Sequence, residues 1–300
     1  MEKILITGGT GLIGTQLTQQ LLDLNYEIVH LTRSKNSRFP IRTYEWDIRK
    51  GIIEAGALEG VHHIIHLAGE SIAAKRWSEE QKKRLFSSRI DTAALLYQYA
   101  QKEQSPLKTF ISASGINIYG TKTSEHTFTE EDQPENDFLA ELTIAWEKAA
   151  DEFSEKCRVV KLRTGVVLAK DGGALDKISK PIKFGVGAPL GSGKQYIPWI
   201  HIDDIVEMYI HALQQETVQG AYNAVAPSPV TNKELTQKIA KTLKRPLFLP
   251  PIPGFILKLM LGEMADLVLE GIKASPDKIK QSGFEFKYTA VEEALEEIYK

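Results

Sequence analysis

The chain has 300 residues, enough for one large domain or two modest ones at about 150 residues per domain. Thirty-seven Lys and Arg against 39 Asp and Glu leave a net charge of −2, so the molecule as a whole has no electrostatic reason to hold nucleic acid or an acidic membrane. The one cysteine, Cys157, excludes an intrachain disulfide and a thiolate metal cage, which makes a reducing, cytoplasmic setting the expectation.

The N-terminus runs straight into an apolar strand pattern, which predicts no cleaved leader. Short β-branched runs predict strands over 3–7, 27–32, 43–46, 63–67, 109–112 and 158–163. Amphipathic segments lie between them. Leu12, Leu17, Leu21 and Leu24 share the turns of one helix, and Leu85, Thr92, Leu96 and Tyr99 those of another. This alternation predicts an α/β fold, a doubly wound parallel sheet of the Rossmann type. Residues 1–165 form the dinucleotide-binding domain, with about 195–225 returning to it. After Gly165 the pattern turns loop-rich, with Gly172, Gly173, Gly185, Gly187, Gly191 and Gly193 as punctuation. From about residue 246 it reads as helices over 254–270, 275–282 and 289–298. Residues 166–300 are therefore expected to form mainly a smaller, loop- and helix-rich substrate domain over one end of the sheet. The apolar run 255–261 is interrupted by Lys258 and falls well below the ~20 residues that span a bilayer.

Thr7-Gly8-Gly9-Thr10-Gly11-Leu12-Ile13-Gly14 follows the first strand and opens the first helix. Glycines at 8, 11 and 14 suit a tight turn, a close approach of pyrophosphate to backbone, and close packing of helix on strand. Free N–H groups and the positive end of the helix dipole would hold the phosphates. A plain strand-to-helix turn also favours glycine, but position and context point to a dinucleotide. The second strand ends in Thr32-Arg33-Ser34-Lys35 with no acid for a ribose 2′-hydroxyl. Arg33 and Ser34, with Lys35 or Arg38, suit a 2′-phosphate and hence NADP(H); a solvated basic loop is the other reading. Asp47, past the third strand, suits the adenine edge or a helix N-cap. The seven histidines show no metal-ligand spacing, so no metal is expected.

Further along, His66-Leu67-Ala68-Gly69, Ser112-Ala113-Ser114 with Ile118-Tyr119-Gly120, and Trp199-Ile200-His201-Ile202-Asp203-Asp204 follow the glycine loop. Together they resemble an extended short-chain dehydrogenase/reductase. Gly69-Glu70-Ser71-Ile72, Arg76-Trp77, Ser88-Arg89-Ile90, Phe138 to Leu142 and Gly193 to Tyr196 narrow the resemblance to its atypical "epimerase family" subgroup. Residues 248–296 resemble that subgroup's C-terminal domain of unknown function. The resemblance implies that Leu67, Ala68, Gly69 and Arg163 line the cofactor and that Ser114 meets a substrate oxygen, though a strand-end cap also explains Ser114. It implies that the acid before the late helix is a cap and that His201 is structural.

The family's Tyr-x-x-x-Lys is missing. Aligning its following glutamate on Glu147 puts Leu139 and Thr143 in those two places. Glu70, Arg89, Tyr119, Glu141 and His201 are the residues at hand to fill the gap. Glu141, one helical step away, is taken with Ser114 as the candidate catalytic pair, although a solvent-facing glutamate is the plainer reading. Arg76 and Trp77 suit either a substrate lid or an anchor for their loop. Three functions stay open: an NADP(H)-dependent epimerase or oxidoreductase acting on an unknown small carbonyl or sugar-like substrate, a cofactor-binding sensor or partner-binding module, and a scaffold without cofactor. Whether the protein is an enzyme, and its oligomeric state, are left open by the sequence.

Overall fold

The computed structural model describes residues 2–35 and 39–300. In chain order the first half runs β1 (Lys3–Thr7), α1 (Leu12–Asp23), β2 (Glu27–Thr32), β3 (Arg42–Asp47), β4 (Ile52–Ile53), β5 (Val61–His66), α2 (Glu79–Lys102), β6 (Thr109–Gly115), β7 (Thr127–Phe128) and α3 (Phe138–Asp151). The second half runs β8 (Arg158–Thr164), β9 (Val166–Leu168), α4 (Gly173–Lys183), β10 (Tyr196–Ile197), β11 (Trp199–His201), α5 (Ile202–Gln214), β12 (Gly220–Ala224), β13 (Val230–Thr231) and α6 (Asn232–Thr242). It ends with α7 (Gly254–Leu261), α8 (Asp266–Leu269), β14 (Lys273–Ala274), α9 (Asp277–Gln281) and α10 (Val291–Tyr299).

Among the described residues eight strands form one sheet in the order β12-β8-β6-β5-β1-β2-β3-β4, parallel throughout except for β4. The doubly wound α/β expectation holds. Side chains alternate across the sheet. Ile4, Ile6, Ile28 and Ile65 join one apolar cluster with α1 and α5. Leu5, Val29 and Ile64 join the opposite one with Leu95, Leu96 and Ala150 of α2 and α3. Strands apolar on both faces therefore read as continuous apolar runs. The chain reverses its winding between β1 and β5, and a crevice opens there at the strands' C-terminal ends.

A smaller lobe packs α4, α6 and α10 around Trp199, Leu168 and Ile197. Here the structure departs from expectation. Residues 173–183 are helical in spite of Pro181, which sits near the helix end where its missing N–H costs one bond. The helix expected over 254–270 is broken at Gly262, whose φ is +62°, and the Arg76 guanidinium lies 2.9 Å from where its Cβ would stand. Lys82 pairs with Glu263 at 2.7 Å, so the Arg76-Trp77 segment and the start of α2 form the floor on which the broken helix docks. In α5 the histidine, not the acid, is the cap: His201 Nδ1 accepts the Asp203 N–H at 3.1 Å. The carboxylate of Asp204 accepts the N–H groups of Lys287 and Tyr288 at 2.7 and 3.1 Å, fastening the tail to the sheet domain.

Asp204→Ala leaves those two amides without a partner. It should lower stability by about 2 kcal/mol, seen as a shifted urea midpoint, and expose the tail beyond residue 286 to proteolysis. Unchanged stability and protease resistance would show that the tail is held by other contacts.

Candidate functional site

The crevice is built by glycines whose neighbours differ. A Cβ on Gly14 would stand 2.3 Å from the carbonyl oxygen of Gly8, and one on Gly9 would stand 2.3 Å from Nε2 of His30. Gly8 has φ +70° and lies against the Leu67 carbonyl, where a Cβ would come within 2.9 Å. These three are required by the fold itself. Gly11 is different. Its φ is an ordinary −79°, it is exposed, and a Cβ there would meet only the Gly8 oxygen at 3.2 Å. It is also the N-cap of α1, offers no capping side chain, and is followed by a first turn without an acid. The N–H groups of that turn, in Leu12, Ile13 and Gly14, point out of a positive helix end toward the crevice. A phosphate fits this cradle. Thr10 and Leu12 are exposed beside it, and Ile13 is half-buried against the core.

Opposite lies the loop after β5. Its Ala68 N–H donates to Thr7 Oγ1 at 3.1 Å, that hydroxyl bonds His66 Nδ1 at 2.8 Å, and His66 Nε2 bonds Thr92 Oγ1 at 3.2 Å. Thr92 donates within its own helix, so His66 Nε2 carries a proton and donates to Thr92 Oγ1. Burial lowers the His66 pKa to about 4, and the buried His30 behind Gly9 likewise to about 4. Leu67, Ala68 and Gly69 thus form a fixed wall of the crevice, with Gly69 exposed.

At the far end of β2, Arg33 is exposed and carries no hydrogen bond or ion pair among the described residues. Lys35 is bound to Glu54 at 2.9 Å, Ser34 donates its N–H to Thr32 Oγ1, and Arg38 lies outside the described residues. Asp47 caps no helix. Its Oδ1 accepts the Arg49 and Lys50 N–H groups of the turn into β4, and these bonds lower its pKa.

At the ends of β6 and β8 the polar side chains are committed to one another. Arg163, expected at the cofactor, is buried with its guanidinium committed: Nε and Nη2 hold the Glu147 carboxylate at 2.8 and 3.0 Å, and Nη1 holds Tyr119 Oη at 2.8 Å. Only the backbone of that segment is left to face a ligand. The Ser114 hydroxyl donates to the same Glu147 at 2.7 Å, and Tyr119 donates to Asn223 at 2.9 Å. Burial pushes the Tyr119 pKa up to about 12, so this phenol holds its proton at neutral pH. Glu141 stands exposed on the first turn of α3, and no hydrogen bond joins it to Ser114. Leu139 and Thr143 are buried toward the end of β6, Leu139 in an apolar cluster with Trp77 and Leu267. A cleft of about 140 Å³ opens beside them, lined by Asn117, Thr121, Gly165, Tyr196, Asp266 and Glu270 among others. Of these six, only Gly165 lies near a residue, Arg163, that sequence reasoning placed at the site.

Residues 4–224 match the model of the NAD dependent epimerase/dehydratase family. The chain belongs to that family. Residues 252–298 match a domain of unknown function, DUF1731. The chain is 38% identical to the epimerase family protein SDR39U1 homolog, chloroplastic, of Arabidopsis thaliana over 98% of this chain and 85% of that one. It is 36% identical to the epimerase family protein YfhF of Bacillus subtilis over 99% and 97%. The crystal structure of the human epimerase family protein SDR39U1 with NADPH superposes with a TM-score of 0.90 at 33% identity, covering 99% of both chains. No helix of the described residues is long and apolar enough to cross a membrane.

Two outcomes follow from this geometry. Gly11→Val should leave the far-UV dichroism native and remove dinucleotide binding in a calorimetric titration, whereas Gly14→Val should unfold the domain. Normal binding by Gly11→Val would reduce the loop to a turn. His30 and His66 are also acid switches of stability. Their folded pKa values lie below the unfolded 6.5, so their contribution is complete above pH 6.5 and is lost as pH falls toward 4, by about 3 kcal/mol each. Asp204, raised to about 6, works in the opposite direction over pH 6 to 4, and one carboxyl does not offset two imidazoles. Urea midpoints should fall between pH 6.5 and 4, with the two ring resonances still neutral at pH 5. A ring titrating near 6.5 would contradict the buried neutral assignment.

Proposed function

We propose that the protein binds NADPH, with the pyrophosphate on the first turn of α1 and the 2′-phosphate on Arg33, and serves hydride transfer between it and a small carbonyl or sugar-like substrate. The start of α1 carries this reading: a glycine that the fold itself does not demand, at an uncapped helix end, is explained by an anion lying on the backbone. The human relative solved with NADPH supports it, and so does Arg33, whose guanidinium has no partner among the described residues. Bound NADPH supplies the hydride. The chain's residues hold its phosphates, keep the β5 loop in place, and offer the cleft to the substrate. That cleft contains Asp266 and Glu270 and no cationic side chain among the described lining residues, which favours a neutral or cationic small molecule over a diphosphate. Asp266 joins Ser114 and Glu141 as a candidate acid–base group.

A second reading, a cofactor-binding module without turnover, draws on the same end of the site. Leu139 and Thr143 are buried where the family's acid–base pair belongs, and the Ser114 hydroxyl is already donated to Glu147. Loss of positioned acid–base catalysis would slow generic alcohol or carbonyl turnover by about 10²–10⁴, so turnover in a substrate screen separates the two. A cytoplasmic place of action belongs to the proposal and is supported by the single cysteine, Cys157.

Loss of a charge-assisted bond from Arg33 to a 2′-phosphate is worth about 1.5–3 kcal/mol, or roughly 10- to 150-fold. Wild type should bind NADPH more tightly than NADH by that order, and Arg33→Asp should erase most of the difference in calorimetric titrations. Equal affinities in wild type would sink the assignment.

A further inference from the structure

Arg89 is 5% exposed, yet its guanidinium donates to carbonyls and a hydroxyl and to no carboxylate among the described residues. Its Nη2 donates to the Glu70 carbonyl at 2.9 Å, its Nη1 donates to the Leu85 carbonyl and to Ser88 Oγ at 3.1 Å each, and its Nε has no partner. The plane lies over the Trp146 ring at 4.7 Å. Ser88 Oγ in turn accepts the Glu70 N–H at 3.0 Å, so two consecutive residues of α2 grip both sides of one residue in the β5 loop. The Glu70 carboxylate turns elsewhere and accepts from Gln81 Nε2 at 3.0 Å. Burial lowers the Arg89 pKa to about 10, which leaves it charged at neutral pH.

That charge stands directly behind the exposed Gly69, where a Cβ would meet the guanidinium carbon at 3.2 Å. With pyrophosphate on α1 and the adenosine half over β2 and β3, the other half of a dinucleotide must run across the ends of β5 and β6. A nicotinamide on that path would pass in front of Gly69. The oxidised ring carries a positive charge and the reduced ring none. We infer that Arg89 is the residue that sets the redox preference of the site, a buried unpaired cation that disfavours NADP+ and favours NADPH. The inference rests on the proposed cofactor. Unit charges about 10 Å apart at an effective dielectric constant of about 20 change a binding constant by about tenfold. Partial burial limits screening by salt.

The test is a calorimetric titration of NADPH and NADP+ separately into wild type, Arg89→Gln, Arg89→Lys and Glu70→Gln. Wild type should prefer NADPH. Arg89→Gln should shrink that preference by about tenfold, and Arg89→Lys, which keeps the charge without the fork, should retain most of it. Glu70→Gln, which removes the nearest negative charge without touching Arg89, should widen the preference, and it tests the same electrostatics should Arg89→Gln fail to fold. A uniform weakening of both forms in the Arg89 variants, with an unchanged ratio, would overturn the inference and leave Arg89 a structural clamp. Failure of wild type to bind either form would instead overturn the cofactor assignment beneath it.

Discussion

The contact between Gly14 and the carbonyl of Gly8 sets the geometry of the rest of the molecule. At that spacing α1 rises straight from the end of β1, with its first turn aimed into the gap where the sheet reverses its winding. The same turn places Gly9 on the His30 ring of β2 and Gly8 on the Leu67 backbone after β5, so the loop touches both strands that flank β1. No side chain can be added at these points without separating the strands. The site's rigidity thus comes from the absence of side chains, and the positive end of α1 is available because none of them caps it.

Where such a family ordinarily has a phenol and a lysine, this chain has a closed internal network. Ser114, Arg163 and, through it, Tyr119 all converge on Glu147, and Asn223 receives the Tyr119 proton donor. Asn223 also donates to the Ser275 carbonyl, which ties the last parallel strand to the tail. Buried charge that is fully hydrogen-bonded is costly to disturb and resists a change of protonation. These groups hold the ends of β6, β8 and β12 together. The cleft beside this network is lined instead by carboxylates outside it, of which Asp266 and Glu270 come from the C-terminal segment.

The glycine loop, the parallel strands and the β5 loop were legible in the sequence because their signals are local. Strand period, glycine spacing and the absence of an acid after Thr32 can each be read within a few residues. The polar network was not legible, since Tyr119 and Asn223 are 104 positions apart and neither has a local pattern. Arg163 illustrates the difference. The resemblance implies that it lines the cofactor, but the direction of its side chain depends on Glu147 in a different element. The cleft likewise collects residues from four separate stretches, and Gly262 breaks a helix whose apolar pattern runs on through it.

Amide hydrogen exchange with and without NADPH tests the central claim most directly. Slowed exchange at Leu12, Ile13 and Gly14 and along the loop at 67–69, with the amides of Glu147 and Arg163 unaffected, is the predicted result. Unchanged exchange at the start of α1 alongside saturating NADPH would contradict it, and the crevice at the sheet's reversal would no longer be the cofactor's seat.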